Sequence, residues 1–441
     1  MRASHDLSRV SASFDEPNLV PCAGLLTAAA LAQRVGLSTL VDQRVRLARH
    51  GANSGTKALT VIGSMLAGGD SIGDTAVMRS GALPELFDHT RAPSTLGSWL
   101  RAFTWGHVRQ LDAVSGELLT RLWAAGGGPQ DLTAPLMIDV DSTIVECFGV
   151  KKHGAAFGYT KTRGYHPQVA TVNGQVVFSR LRGGNAGAAR GAESLLTETV
   201  SRVRGAGASG QLTVRADSAF YSKAMLGTAR RLGVRFSVTA RQDKKIRAAI
   251  AAIPEQDWAP IPYWLSTPEV SGADIAETSY TCFAGTSNEI TVRLVVRRVR
   301  PTPGSQLALF TTWDYHAFVT DRDGELAVIE ADHRRHAVVE QVIADLKSAG
   351  MAHMPSGRFN ANAAWLTLAV MAHNIAHAVG ILSGPDLAKS TTATLRRTIF
   401  TTPGRLVHSA RRLRIRMPTD WPWAENITTA LDKINTIPAP T

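Results

Sequence analysis

The sequence predicts an α/β protein whose central sheet is flanked by helical regions, and three observations support this. Apolar residues recur at helical spacing through residues 25–125. After a Gly-rich break that begins at Ala124, the pattern changes to short strands with alternating polarity. Strands then alternate with helices as far as about residue 240, which is the order of an α/β sheet.

The strand region begins with PLMIDVDSTI and continues with two strands around Asn173-Gly174, a dipeptide favoured in tight hairpin turns. The elements expected after this hairpin are a helix, a strand, a helix and a strand: residues 190–205, a strand from Gln211, residues 219–232, and a strand from Val234. Three strands followed by this alternation are the order of a ribonuclease-H-like sheet, although other folds share it. We therefore expect the ribonuclease-H-like catalytic core over 132–242 and 313–350.

Composition divides the rest of the chain. Residues 1–20 are polar and predict a flexible segment, and residues 21–125 predict a helical domain. Residues 243–312 contain the run EITVRLVVRRVR, which predicts a β-rich insertion in the core. Residues 351–441 predict a helical, Arg-rich region at the C-terminal side.

The net charge favours a polyanionic partner. Lys and Arg together number 48 and Asp and Glu 36, so the chain carries +12. Nucleic acid is the commonest such partner, an acidic membrane surface is the alternative, and a charge that serves only solubility is the third interpretation. No run of about eighteen apolar residues and no signal-peptide pattern is evident, so we expect no membrane span and a cytoplasmic protein.

The three cysteines support the same compartment. Cys22, Cys147 and Cys282 are far apart and form no CxxC pair. This spacing argues against a disulfide framework and against a structural zinc site.

Acidic residues occur where metal chemistry would need them. Asp139 and Asp141 are two residues apart in one predicted strand, so both side chains should point to the same face. Asp217 ends the predicted strand LTVRAD, and Glu340 lies in the predicted helix HRRHAVVEQVIADLK. Each acid also has an ordinary structural interpretation: Asp141 would cap a turn, Asp217 would cap the following helix, and Glu340 would be a solvated helix residue.

Phosphodiester chemistry gives such a set of acids a use. Two Mg²⁺ ions about 4 Å apart can activate an attacking oxygen and stabilise a leaving one. Mg²⁺ prefers carboxylate and water oxygens, so three carboxylates suffice to hold it. On the predicted helix, His333, His336, Glu340 and Lys347 should form one narrow acid/base stripe.

The combined pattern resembles the DDE transposases of bacterial insertion sequences, in particular the thirteen-eighty group, which is related to group four. The resemblance runs over roughly residues 20–435 and is carried by these segments: MIDVDSTI, GYTKTRGYHP, SRLRGGNAG, VRADSAFYSK, VVEQVIADLK and FNANAAWLTLAVMAHNIAH. It implies that Asp141, Asp217 and Glu340 are the catalytic, metal-binding acids, with Asp139 as a further metal ligand. It also implies two Mg²⁺ ions, for which Mn²⁺ is a possible substitute.

The resemblance further implies cleavage of DNA at the ends of the chain's own insertion sequence and strand transfer of the 3′-OH into target DNA. Residues 21–125 would then bind DNA, and a homodimer would hold two inverted-repeat ends together at the bacterial nucleoid. Two alternatives stay open: a repressor-like derivative that binds DNA without catalysis, and a ribonuclease-H-like nuclease that cuts without joining. The sequence carries all three acids, which argues against the first alternative.

Several further residues are candidates for nucleic-acid binding: Lys347, His336, Arg335, Trp313, Arg411, Arg412, Arg414 and Arg416. His333 and His336 stand where related transposases carry Tyr and Arg, which weakens the expectation that His336 contacts phosphate. Trp313 is a candidate for stacking on a flipped base, with a core tryptophan as the alternative. The arginines are expected to bind phosphates without reading sequence.

Overall fold

The computed structural model describes residues 6–87, 89–263, 272–300, 313–409 and 412–438. Its first strand is β1 (Leu19–Val20). The helices predicted for residues 25–125 follow: α1 (Leu25–Arg34), α2 (Leu37–Arg44), α3 (Ser54–Ala67), α4 (Leu83–Leu86), α5 (Pro93–Arg101) and α6 (Trp105–Ala124). Gly36 separates α1 from α2 because its φ of 67° lies in the left-handed region, where a residue without Cβ is unstrained.

The strand-rich middle of the chain follows the predicted order. Its elements are β2 (Leu136–Ser142), β3 (Val145–Glu146), β4 (Ala156–Phe157), β5 (Arg163–Tyr165), β6 (Gln168–Val172), β7 (Gln175–Arg180), α7 (Ala192–Gly205), β8 (Leu212–Ala216), α8 (Lys223–Arg231) and β9 (Arg235–Thr239). The predicted hairpin turn is confirmed, since Asn173 and Gly174 join β6 to β7 with φ of 52° and 85°.

The remaining described elements are α9 (Lys244–Ala251), β10 (Ala259–Ile261), β11 (Ala273–Cys282), β12 (Ile290–Val299), β13 (Asp314–Thr320), α10 (Leu326–Arg334), α11 (Ala337–Leu346), α12 (Phe359–Ser383), α13 (Thr392–Leu395), β14 (Gly404–Ser409), β15 (Arg412–Arg416) and α14 (Ala424–Thr436).

One large mixed sheet organises the middle of the chain. Its described strands lie in the order β10-β11-β12-β13-β9-β8-β2-β6-β7. Strand β2 pairs parallel to β8, and β8 pairs parallel to β9, whereas the other neighbours are antiparallel. The carboxyl ends of β2, β8 and β9 therefore lie at the same edge of the sheet.

The region predicted as an insertion is β-rich, but its strands continue this sheet. Strand β11 pairs with β12, β12 with β13, and β13 with β9 of the central part. The β-rich run thus extends the sheet sideways instead of folding into a separate layer. Strand β13 joins the two parts, because it pairs with the edge of β9 that would otherwise be unpaired.

Helix α12 links the two ends of the chain. It is buried on nearly all sides and packs against α1, α3, α5, α6, β7 and α14. The predicted helical domain 21–125 and the predicted region 351–441 therefore share one hydrophobic core, since an all-round apolar helix must be enclosed on every side. By length and composition α12 is also the one described helix that could cross a membrane, but 89% of its most apolar window is buried in the protein.

The Arg-rich segment corrects the prediction of an entirely helical C-terminal region. Strands β14 and β15 form an antiparallel hairpin, and β1 pairs with the base of β14. Leu19 and Val20, which end the segment expected to be flexible, are therefore ordered by pairing with Arg405 and Gly404. The alternation in RLVHSARRLRIR, with period two, accounts for the strands.

The structure leads to a prediction for stability against pH. His377 lies on α12, where its Nδ1 is buried without a hydrogen-bond partner among the described residues. Burial lowers the pKa of His377 to about 4, and the nearby His373 acts in the same direction. Since the unfolded chain takes up this proton near pH 6.5 and the folded chain does not, stability falls as pH drops from 6.5 to 4, by about 3 kcal/mol from this group.

We expect H377Q to lose less stability than the wild type over this pH range, because glutamine does not titrate. The measurement is urea denaturation of both proteins at pH 7, 6, 5 and 4. Parallel stability profiles would show that His377 titrates alike in the folded and unfolded chains.

Candidate active site

Two of the predicted acids meet at the carboxyl edge of the parallel strands. Val140 of β2 pairs in register with Ala216 of β8, so Asp141 and Asp217 follow at equivalent positions on neighbouring strands. Asp217 also caps the 3-10 helix Ser218–Phe220 by accepting from the Ala219 N–H at 3.1 Å. The structural role considered for Asp217 is therefore real, and the same residue faces the site.

Glu340 approaches these acids from a helix. It lies exposed in the first turn of α11, and α11 packs against β2 and β6. The pKa of Asp141 is raised to about 6, mainly by burial and also by the charges of Asp217 and Glu340, while the hydrogen bond from the Ser142 N–H and the charge of His336 act in the opposite direction. The pKa of Asp217 is raised as well, mainly by burial. The three predicted acids are thus close enough for their charges to oppose one another.

Asp139 has a different environment from Asp141, although both belong to β2. Its carboxylate accepts from Arg215 Nε at 2.5 Å and from Arg215 Nη2 at 2.8 Å. His336 Nδ1 lies 2.9 Å from the same carboxylate, and Arg215 Nη1 donates to the carbonyl of Asp332. Both oxygens of Asp139 are therefore engaged inside the protein, whereas Asp141 accepts one hydrogen bond from the described residues, from the Ser142 N–H at 2.6 Å.

The predicted single helix around Glu340 is broken into two. Helix α10 ends at Arg334 and α11 begins at Ala337, with Arg335 and His336 at the break. The prediction of one continuous acid/base stripe is therefore wrong. Two contacts to the sheet are made at the break: Arg215 donates to the carbonyl of Asp332 near the end of α10, and His336 Nδ1 lies 2.9 Å from the carboxylate of Asp139.

The two histidines at this break have different roles. His333 stacks on Phe318 with ring centroids 3.9 Å apart and bonds to the hydroxyls of Ser237 and Thr239. Burial lowers its pKa well below the usual range. His333 is therefore a packing residue against the sheet, while His336 turns toward Asp139.

Two basic residues, Lys347 and Arg241, lie beside the acids, and a third, Arg335, is next to His336 in the chain. Burial lowers the pKa of Lys347, and the charge of Asp141 opposes this, which places Lys347 beside the acids. Arg335 is exposed next to His336 and forms an ion pair with Asp332 at 3.0 Å. Arg241, which the sequence interpretation did not include, donates to the carbonyl of Ser218, and its charge lowers the pKa of Asp217.

The sequence interpretation also missed Arg215, although a signal was present. A charged residue in the otherwise apolar strand LTVRA calls for a buried partner. Arg215 pairs in register with Asp139, and both are nearly buried. A buried arginine two residues before an acid at a strand end is therefore a feature to look for in sequences of this kind.

Trp313 and the arginines predicted to bind nucleic acid at 411–416 belong to other elements than the three acids. The guanidinium of Arg298 lies 4.3 Å from the ring centroid of Trp313 and 4.4 Å from that of Trp258. One face of Trp313 is thus covered by an arginine. Arg412, Arg414 and Arg416 are on β15, and Arg411 lies outside the described residues.

Carboxylates at the ends of adjacent parallel strands in a basic chain are typical of proteins that process nucleic acid. Among the described residues, no group of three or more His, Cys, Asp or Glu side chains is arranged to hold a metal ion. Comparison with known families is decisive: the chain belongs to the family Transposase DDE domain group 1, whose pattern matches residues 3–439. No curated protein matches the chain. The chain is therefore a transposase-family protein, and the family implies DNA as its partner.

Asp139 and Asp141 give a matched test of this site through stability. The pKa of Asp141 is about 6 in the folded chain and 3.8 in the unfolded one, so its contribution to stability is complete below pH 3.8 and lost by about pH 6. At pH 7 without divalent metal, D141N should therefore raise the free energy of unfolding by about 1–3 kcal/mol. D139N should lower it by about 3 kcal/mol, because Arg215 loses its buried partner.

Urea denaturation of both variants at pH 7 in EDTA tests this pair, and each variant serves as the control for the other. If both midpoints move in the same direction, the contrast drawn between the two carboxylates fails.

Proposed function

We propose that this chain is a DDE transposase that cleaves DNA at the ends of its own insertion sequence and transfers the 3′-OH into target DNA. Asp141, Asp217 and Glu340 are its catalytic carboxylates. The observation that carries the proposal is the position of Asp141 near both Asp217 and Glu340: the pKa of Asp141 stands near 6, mainly because of burial, and the two neighbouring carboxylates also raise it. A carboxylate whose ionisation is disfavoured in this way by burial and by neighbouring acids is suited to a bound cation.

A ribonuclease-H-like core is part of this proposal. The strands β7-β6-β2-β8-β9 are neighbours in that order, with antiparallel pairs on the β7 side and parallel pairs on the β9 side. The sequence analysis expected a ribonuclease-H-like sheet from the order of strands and helices along the chain, and made no prediction of which strands are neighbours in space. The predicted domain limits, with a core over 132–242 and 313–350, are kept as part of the proposal.

We infer Mg²⁺, with Mn²⁺ as a substitute, from the chemistry of the carboxylates, which in the described residues are not gathered into a formed metal-binding cluster. Mg²⁺ is commonly held by one or two carboxylates together with waters and substrate phosphates, so an open set of acids is compatible with two ions. When bound, the cations supply positive charge to the attacking and leaving oxygens of a phosphodiester. Asp141, Asp217 and Glu340 would hold them, and Asp139 is left out because Arg215 and His336 engage both of its oxygens.

The other residues position these acids or the DNA. Asp139 fixes His336 through Nδ1, which must carry the proton because a carboxylate only accepts. In the neutral ring Nε2 is then an acceptor, so His336 donates to a phosphate only when it is protonated. Lys347 and the exposed Arg335 are the permanent cations for this contact.

The proposed reaction also requires a particular assembly and location in the cell. Two ends of one element must be held together, which calls for a homodimer at the bacterial nucleoid. Trp313 is assigned a packing role in place of base stacking, because Arg298 covers its ring.

The acids lead to a prediction for catalysis. D217A and E340A should each abolish cleavage and leave DNA binding nearly unchanged, because a carboxylate contributes little to a basic surface. D217N should be equally inactive even though its amide oxygen still caps the 3-10 helix, and Q341A is the control for changes to helix α11. The measurement is cleavage of a plasmid that carries the DNA on both sides of the gene, with Mg²⁺.

Wild-type cleavage rates in D217A or E340A would remove these residues from the proposed set. A wild-type protein that cuts but does not join pre-cut ends to target DNA would favour the nuclease. One that binds without cutting would favour the repressor-like derivative.

Cation binding should depend on pH in a defined direction. Below about pH 6 Asp141 binds a proton, which competes with the cation, so Mn²⁺ affinity should fall about tenfold per pH unit under pH 6 and level off above it. The test is titration calorimetry with Mn²⁺ on the DNA-free protein from pH 5 to 8. D141N should bind weakly with a flatter profile, and equal profiles for both proteins would exclude Asp141 as a ligand.

A further inference from the structure

Strands β14 and β15 form a hairpin whose outer half has no third strand beside it among the described residues. We call Gly404–Ser409 and Arg412–Arg416 the arginine ribbon. Strand β1 pairs only with Gly404 and Arg405 at its base. Beyond this base, β14 and β15 pair only with each other among the described strands. The ribbon is therefore three strands wide where it joins the core and two strands wide toward its tip.

The two faces of the ribbon differ in character. Leu406 and Ile415 lie opposite each other and pack with Val20 and Leu83, which anchors one face at the base. Arg412, Arg414 and Arg416 share the other face, because side chains alternate along a strand. Arg405 lies opposite Arg416 on this second face.

The arginine face has few protein partners. Arg405 lies 3.5 Å from Glu16, but within the described ranges Arg412, Arg414 and Arg416 form no ion pair. All three are exposed, at intervals of about 6.8 Å along the strand. On the opposite face Leu413 is 47% exposed, and its cross-strand neighbour His408 lies 3.2 Å from the carboxylate of Glu85, so the described protein contacts of the outer half are on this face and not on the arginine face.

We propose that the arginine ribbon enters the major groove of duplex DNA, with Arg412 and Arg414 contacting base edges. A major groove about 12 Å wide admits a two-stranded ribbon, and the arginine fork fits the O6 and N7 acceptors of guanine. This differs from the sequence-based expectation that these arginines bind phosphates without reading sequence. The inference rests on the proposed function only in taking transposon-end DNA as the ligand.

The width of the ribbon favours a groove over a flat anionic surface. A broad basic face would suit an acidic membrane, but here the cations lie along one strand of a narrow arm. Lysine in place of arginine keeps the charge and loses the fork, so Arg→Lys substitutions separate base contacts from phosphate contacts.

The test uses the full chain in EDTA, so that binding is measured without cleavage. The probes are fluorescent duplexes from the DNA immediately flanking the gene on each side, and a shuffled duplex of equal length. The wild type should bind a flanking duplex at least about tenfold more tightly than the shuffled one. R412K/R414K should lose about tenfold of this discrimination while its binding to shuffled DNA changes little.

Two further measurements distinguish base contacts from phosphate contacts. Replacing guanine by 7-deazaguanine in the flanking duplex should weaken the wild type and leave R412K/R414K unaffected, since only the major-groove N7 is removed. R412A/R414A should weaken binding to every duplex and reduce the dependence on salt, and R230A/R231A on helix α8 is the control of equal charge.

Full discrimination in R412K/R414K, or no discrimination in the wild type, would overturn the proposal, as would binding to anionic vesicles in preference to all duplexes. Because no metal is present, the result is independent of catalysis. Discrimination through the ribbon without any cleavage in Mg²⁺ would support the ribbon and refute the proposed reaction.

Discussion

The bidentate ion pair between Asp139 and Arg215 joins two parallel strands at the point where the candidate site begins. The same arginine holds the carbonyl of Asp332 at the end of α10, and the same carboxylate holds His336 at the start of α11. The direction of α11, and with it the position of Glu340, therefore depends on a contact beneath the acids. A buried pair of this kind costs desolvation, which full hydrogen bonding offsets here.

One strand thus contains two aspartates with opposite energetics. Asp139 is satisfied by a guanidinium and an imidazole, whereas Asp141 is buried among like charges and its pKa is raised to about 6. The first stabilises the fold, and the second is destabilising at neutral pH until a cation offsets it. Such a division is expected where function requires a group that folding alone would not favour.

Local patterns were sufficient to predict most elements of the fold. Alternation and helical spacing identified β2, β6 and β7 with the Asn173-Gly174 turn, β8, β9 and the helices before Ala124, because these signals lie within a few residues. The short strands β4 and β5 were not predicted. The break at Arg335 and His336 was not predictable in this way, since no Gly or Pro marks it and the contacts made there come from Arg215 and Asp139 on distant strands. Among the site residues, Asp141, Asp217 and Glu340 were predicted to act together, while the engagement of Asp139 and the roles of Arg215 and Arg241 required the fold. The arginine hairpin was not predicted, although RLRIR at residues 412–416 alternates with period two. The high density of arginine in this segment was interpreted only as a sign of phosphate binding.

The pairing of Leu19 and Val20 with Arg405 and Gly404 has a consequence for how the chain reaches its folded state. The contacts of α1 with α12 and α14 likewise join segments that are hundreds of residues apart in sequence. During synthesis the first helices emerge long before their partners. Their apolar faces therefore stay exposed to water or bound to a chaperone until the C-terminal segments have been synthesised. Formation of the shared core is thus a late folding step, because it requires contacts between segments far apart in sequence. We expect this step to be slow and the unfinished chain to be prone to aggregation.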